Sequence, residues 1–254
     1  LVEGGAGRIG QVMAQRMLAS IRLNARLETL AVDPSGRARL GFADGTSAEA
    51  DRVILALPAP LYRTIRIEAD LPAPWPEALA EMALGSNEKL VALARPRPWD
   101  KALGRAGSLW ADQPFAAAWD GHSGRPLAGE GPFTFFLGGA QVAAMAEGPA
   151  SARASLAART AEPAVPGLSA AIEAGALARR TAWTRDPLSQ GSYSTWRPGQ
   201  LTRFAPLMSG EMAGRAGPIL FAGEWLSDAH TGYMEGAVET GQRAAVETLR
   251  ALAA

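Results

Sequence analysis

The chain has 254 residues, 48% hydrophobic and 20% charged, enough for one large domain or two modest ones. Lys+Arg and Asp+Glu number 25 each, and no apolar run approaches the ~20 residues that span a bilayer, so neither nucleic acid nor a membrane is an expected partner. The absence of cysteine excludes disulfides, thiolate metal sites and a cysteinyl bond to a cofactor, and the two histidines, His122 and His230, lack partners at metal-ligand spacing, so no metal site is expected.

Val2-Glu-Gly-Gly-Ala-Gly-Arg-Ile9 opens a helix expected to run to about Ser20, with Ile9, Val12, Met13, Arg16 and Met17 in register. Its glycines are not a dinucleotide fingerprint, because Gly-x-Gly-x-x-Gly should follow a strand and lead into a helix. Residues 21–33 alternate as a strand, Pro34-Ser-Gly signals a turn, residues 37–42 return, and Ala43-Asp-Gly-Thr46 turns again. The result is a β-meander with one wet face. Arg52-Val-Ile-Leu-Ala-Leu-Pro58 then reads as a buried strand ended by Pro58 and Pro60.

From Leu61 the texture changes. Pro72, Pro74 and Pro76 precede a helix near residues 77–83, and Gly85-Ser-Asn-Glu-Lys89 leads into a strand over 90–94. Residues 100–131 are rich in Gly and Pro and read as irregular loops over a sheet. A strand over 133–137, helices near 139–146, 150–161 and 168–174, and a strand over 180–183 follow. No internal repeat or low-complexity linker interrupts the chain.

Pro218-Ile-Leu-Phe-Ala-Gly-Glu224 begins the last segment. Ile219, Leu220, Phe221 and Ala222 form an apolar run too short for a helix, which suits a central parallel strand covered on both faces. After Trp225-Leu-Ser-Asp-Ala-His-Thr231, a closing helix is expected over 234–252. Met234, Ala237, Val238, Gly241, Ala245, Leu249 and Leu252 recur there at three- and four-residue steps, the spacing of one helical stripe. Gly236 and Gly241 inside that helix each cost about 1 kcal/mol relative to Ala, which is easiest to understand if something approaches the backbone closely. A helix start aimed out of a buried strand also suits negative charge, although ordinary helix–sheet packing explains the same pattern.

Phe-Ala-Gly-Glu followed by Gly-Tyr-Met-Glu-Gly-Ala-Val-Glu-Thr-Gly-x-Arg-Ala-Ala closely resembles the C-terminal flavin-binding signature of the flavin-containing monoamine oxidase family. The match runs without a gap through the helix. Similar helices close the flavin site of phytoene desaturases and protoporphyrinogen oxidases, so the segment points to the superfamily more sharply than to a substrate.

The resemblance assigns further residues. Tyr193 in Gly191-Ser-Tyr193 and Tyr233 in Gly232-Tyr233 match two tyrosines that face each other before the flavin ring and admit the substrate amine. A tyrosine after a glycine is by itself more often a turn or core residue, but aromatic walls suit an amine slot because their faces attract it and exclude water. Lys89, otherwise a strand-end lysine, matches one that holds a water at flavin N5 and assists reaction with oxygen. Leu27, Ala56, Pro58, Trp183, Gly223, Glu224, Gly232, Tyr233, Met234 and Val238 fall at positions that border the cofactor in the family, with Glu224 expected to hydrogen-bond its sugar-phosphate arm. Leu27 and Trp183 are equally consistent with plain core. Ser192 stands where mammalian relatives carry the flavin-linking cysteine, so non-covalent FAD is expected, and His230 replaces a common aromatic residue.

These residues together imply a mixed α/β chain: residues 1–78 as part of an incomplete Rossmann-like FAD-binding domain with its meander, 79–185 as a substrate domain of mixed sheet and helices, and 186–254 as the return to the FAD domain. The implied reaction is oxidative deamination of a small amine, with transfer of a hydride to flavin N5, hydrolysis of the imine, and reduction of oxygen to hydrogen peroxide. The expected partners are therefore an amine and oxygen, with the cytoplasm as the default compartment. The chain matches the second half of the family's pattern, so it is expected to be a fragment or a truncation of a longer enzyme. A desaturase-like or protoporphyrinogen oxidase-like flavoenzyme and a non-catalytic remnant remain alternatives.

Overall fold

The computed structural model describes residues 2, 4–17, 21–103, 107–121, 129–210 and 212–253. The chain divides into two compact units, one of residues 23–85 and 184–254 and the other of residues 1–22 and 86–183.

In the unit of residues 23–85 and 184–254, the strands Leu27–Val32, Ala38–Phe42 and Ser47–Ala50 form the expected antiparallel meander, and Arg66–Glu68 joins it parallel to Leu27–Val32. Strand structure starts at Leu27 rather than residue 21. The turns are built by aspartates: Asp33 Oδ1 accepts from the N–H groups of Ser35 (2.8 Å) and Arg37 (3.1 Å), and Asp44 Oδ1 accepts from Thr46 N–H (3.0 Å). The Ser35 hydroxyl also donates to Asp33 Oδ1, and this bond foremost, with the Arg37 N–H next, holds the Asp33 carboxyl below its usual range.

A second sheet of this unit has Ile219–Phe221 at its centre, antiparallel to Arg215–Ala216 and parallel to Val53–Leu55. All three residues of the central strand are buried, as the apolar run requires. Trp75 stacks on Phe221 with ring centroids 4.2 Å apart, Tyr62 meets Phe221 edge-on at 5.4 Å, and Trp225 lies 5.7 Å from Tyr62. Burial pushes the Tyr62 phenol up, and its hydroxyl donates to the Leu55 carbonyl at 3.0 Å. The strand Val53–Leu55 is less enclosed than its apolar sequence implies. Val53 and Leu55 face the aromatic core, whereas Ile54 is 40% exposed beside Leu220 at the sheet edge.

The closing helix spans Met234–Ala253, and the larger side chains of its apolar stripe face out. Met234, Val238, Leu249 and Leu252 are exposed, with Leu249 at 68%, while Gly236, Thr240 and Ala244 are buried. Small residues win the inner face because the helix must approach the end of the central strand closely. The Gly223 N–H donates to Thr240 Oγ1 at 3.0 Å, and Ala244 packs with Leu220 and Ala222. Periodicity identified a stripe but not the side it would occupy.

In the unit of residues 1–22 and 86–183, five antiparallel strands run in the order Ala178–Arg180, Asn87–Ala94, Gly131–Gly138, Ala117–Asp120 and Ser108–Trp110. The last two lie in the stretch expected to be irregular loops, where Ala-rich sequence hides the alternation. Leu90, Ala92, Phe133, Phe135 and Leu137 face a core shared with the helices Ala150–Ala161 and Leu168–Gly175. Lys89 pairs in register with Phe136 and, one residue out of phase with Leu90, points to the opposite, open face. The N-terminal helix spans Gly7–Arg16 with none of its residues buried, and its expected end, Ser20, lies outside the described residues, as does His122. Among the described residues no helix is long and apolar enough to cross a membrane, and no group of acidic or histidine side chains could hold a metal ion.

Candidate active site

The parallel strands Val53–Leu55 and Ile219–Phe221 end side by side, with the Ala222 N–H donating to the Leu55 carbonyl at 3.0 Å. The chain diverges there. One strand continues through Ala56 and Pro58, both exposed, into a short 3-10 helix over Ala59–Thr64. The other passes Gly223 into Glu224–Leu226, a second 3-10 turn, and then to the long helix. Ligands of open α/β sheets bind at such carboxyl ends, where diverging connections leave a crevice.

Three segments meet at this place. Ser194 and Thr195 pair antiparallel with Leu84 and Ala83, which fixes the backbone just after Tyr193. Gly232 adopts φ +86°, the left-handed region, and a Cβ built on it would lie 3.6 Å from the Tyr193 ring. The Tyr193 ring therefore rests against the residue preceding Tyr233. Glu224 joins all three segments: Oε1 accepts from Ser194 N–H (2.9 Å) and Oγ (2.7 Å), and Oε2 accepts from Gly232 N–H (2.7 Å). Tyr193 remains 43% exposed and Tyr233 70% exposed, with Met234 and Val238 exposed on the next turns of the helix.

Thus Ala56, Pro58, Gly223, Glu224, Gly232, Tyr233, Met234, Val238 and Tyr193 belong to one unit and cluster around two strand ends and one helix start. Leu27 lies in the same unit, half-buried against its core from the meander. Lys89 and Trp183 belong to the other unit. Lys89 is exposed on the open sheet face, its N–H donating to Thr181 Oγ1 at 2.9 Å, and Trp183 is also exposed. Exposed aromatic and aliphatic surface beside the two strand ends suits an isoalloxazine ring. None of the residues clustered there is cationic, so the set suits the ring system rather than a diphosphate.

Sequence reasoning missed the polar stitching of the Ser227–Thr231 loop and the part played by Ser194. The Ser227 hydroxyl donates to Glu239 Oε2 at 2.7 Å, the His230 N–H donates to Ser227 Oγ at 2.9 Å, and His230 Nδ1 lies 3.3 Å from Glu239 Oε2. The Ser227 hydroxyl, followed by His230, holds the Glu239 carboxyl below its usual range. Nearby, burial lowers the Arg243 guanidinium from its ordinary value, and its Nη1 donates to the Met208 carbonyl at 2.8 Å. A serine opening a loop four residues before Thr231, with a glutamate one turn into the next helix, was the available signal. The close approach expected at Gly236 comes from this same loop: a Cβ there would lie 2.4 Å from the His230 carbonyl oxygen. Gly241 has nothing within 4 Å.

The model of flavin containing amine oxidoreductases matches residues 1–249. A solved putrescine oxidase with putrescine bound superposes with a TM-score of 0.82 at 23% identity, covering 97% of this chain and 53% of that one. Cyclohexylamine oxidase from Brevibacterium oxydans IH-35A gives a TM-score of 0.77 at 24% identity, covering 91% of this chain and 49% of that one. At these identities the likeness concerns the fold. Amine oxidase B of Mus musculus is 41% identical over 71 residues, 28% of this chain and 13% of that protein. A pseudooxynicotine dehydrogenase of Pseudomonas sp is 38% identical over 60 residues, 24% of this chain and 11% of that protein. The chain thus spans about half the length of the structural relatives it matches. With the family model covering nearly every residue, the chain belongs to the flavin-containing amine oxidoreductases, whose cofactor is FAD.

Proposed function

We propose that the protein to which this chain belongs oxidises a small amine at the strand-end crevice, with FAD held non-covalently. The observation that supports this reading is the apposition of the Tyr193 ring against Gly232, the residue before Tyr233, with both tyrosines exposed beside the glycine-bearing helix start. Bound FAD supplies the redox chemistry, accepting two electrons from the carbon that bears the amine and passing them on to oxygen.

The chain's own residues bind and orient. Tyr193 and Tyr233 form the walls of a slot that takes the uncharged amine between π-faces and keeps water from its α-carbon. Ala56, Pro58, Gly223, Met234 and Val238 offer apolar surface and bare backbone to the ring system, and Leu27 serves the adenine. The start of the helix Met234–Ala253 favours negative charge on the adjacent ring edge. The family resemblance further assigns Lys89 to the oxygen half-reaction and Trp183 to the ring's surroundings, both residues belonging to the other unit. Ser192 leaves no sulfur for a covalent link, its hydroxyl donating to the Gly85 carbonyl at 2.9 Å.

A second reading follows from the names of two relatives, a pseudooxynicotine dehydrogenase and a nicotine dehydrogenase: the electrons pass to an acceptor other than oxygen. Titrating the purified chain with FAD, then adding a panel of primary, secondary and cyclic amines, tests both. Peroxide release supports the oxidase, and dye reduction without peroxide supports the dehydrogenase. Flavin bound but inert to every amine and dye would overturn the proposal.

A further inference from the structure

Glu224 has two candidate occupations, and the geometry separates them. One is the contact with the cofactor's sugar-phosphate arm that the family resemblance implies. The other is visible in the hydrogen bonds. A carboxylate offers about four lone-pair sites, and three of those on Glu224 are taken by protein donors. Two of the donors are backbone N–H groups, one on the residue after Tyr193 and one on the residue before Tyr233. Ser194 is buried, so the bonds to its N–H and hydroxyl are sheltered from water.

We infer that Glu224 is a positioning residue, a latch that fixes the spacing of the two tyrosine walls by holding the backbones of Ser194 and Gly232 on opposite oxygens of one carboxylate. The inference rests on the tyrosine slot proposed above. Side-chain length matters here, because the carboxylate must reach both segments from the 3-10 turn Glu224–Leu226. Charge matters as well. All three partners donate, so replacing one oxygen with an amide NH2 turns a donor toward a donor. The Gly232 N–H is the more exacting end, since its left-handed backbone has no side chain to supply a substitute acceptor. With the latch broken, Tyr193 and Tyr233 keep their identities and lose their separation, so the amine site suffers while the apolar cradle of the ring system stays.

Two variants and two readouts test the latch. In the purified chain without cofactor, amide hydrogen exchange is followed at Ser194, Gly232 and, as an internal reference, at Phe221, whose N–H donates to the Gly214 carbonyl in the core sheet. Glu224→Gln should speed exchange at Ser194 and Gly232 by about tenfold or more, given the strength of bonds to a charged acceptor, with Phe221 unchanged. Ser194→Ala removes only the hydroxyl and should leave Gly232 protected. Equal exchange at Gly232 in the parent and Glu224→Gln chains, or uniform acceleration that includes Phe221, would overturn the latch. In the second readout, FAD affinity and amine kinetics are compared. The latch requires the amine's kcat/KM to fall by about tenfold while the FAD dissociation constant moves by less than about twofold, the reverse of a lost cofactor contact. A rise in the FAD dissociation constant with unchanged amine kinetics would also overturn it. If the chain alone binds no FAD, the kinetic comparison is made in the protein to which it belongs, and the exchange measurement still decides the latch.

Discussion

Replacing Gly236 by alanine sets two calculable effects against each other on the helix Met234–Ala253. Helix propensity alone favours the change by about 1 kcal/mol, because glycine loses the most backbone freedom on folding. The added methyl, however, would stand 2.4 Å from the His230 carbonyl oxygen and 2.9 Å from Ser227 Cβ. Neither neighbour is the free end of a flexible chain. The His230 carbonyl accepts from Tyr233 N–H at 3.1 Å, and Ser227 is tied to Glu239. Overpacking against backbone costs about 3 kcal/mol at the upper end of the usual range, so the net effect should be a loss of about 2 kcal/mol. Gly241 is the control in the same helix: with nothing within 4 Å, Gly241→Ala should gain about 1 kcal/mol. Urea unfolding of the two variants, read by the fluorescence of the buried Trp75 and Trp225, measures both. A stabilising Gly236→Ala, equal to Gly241→Ala, would refute the claim that the Ser227–Thr231 loop presses on the helix.

The remaining predictions concern the surface, the acid limb and oxygen reactivity. Leu249→Lys should change stability by less than about 0.5 kcal/mol because Leu249 is exposed, whereas Phe221→Ala, fully buried beneath Trp75, should cost about 3–5 kcal/mol; equal losses in urea unfolding would reject the outward stripe. Glu162 accepts from the N–H groups of Gly167 (2.6 Å) and Ser169 (2.8 Å), which, the Ser169 bond foremost, lowers its pKa from 4.5. A depressed carboxylate contributes stability that is present above its unfolded pKa and lost as pH falls through the folded one, so Glu162→Ala should cost about 1 kcal/mol at pH 7 and progressively less below about pH 4. A pH-independent difference would contradict this. Lys89→Met should slow reaction of the reduced enzyme with oxygen by about tenfold or more, and an unaltered rate in stopped flow would remove Lys89 from the oxygen half-reaction.

Local signals carried much of the architecture. The run Ile219–Phe221 reads as an enclosed strand because it is apolar throughout and too short for a helix, and the turns at Asp33 and Asp44 follow from aspartates that bond their own backbone. What the sequence hid depends on partners distant along the chain. The apolar stripe from Met234 to Leu252 has the right period for an inner face, yet Gly236, Thr240 and Ala244 occupy that face because Gly223 must be reached. The strand Ala117–Asp120 exists through its register with Phe136 and Thr134, and Ser108–Trp110 through its register with Ala117–Trp119, which alanine-rich sequence does not announce. Glu224 was legible as a site residue through the family resemblance, but its bonds to Ser194 and Gly232 appear only once three segments fold together.

The central claim, that Tyr193 and Tyr233 bound the amine slot, is tested most directly by mixing FAD-loaded protein with an excess of amine in the absence of oxygen and following the loss of the flavin's visible absorbance. Parent protein should bleach with at least one amine of the panel, and Tyr233→Ala should bleach about tenfold or more slowly while holding FAD as tightly. Bleaching at the parental rate in Tyr233→Ala would contradict the slot.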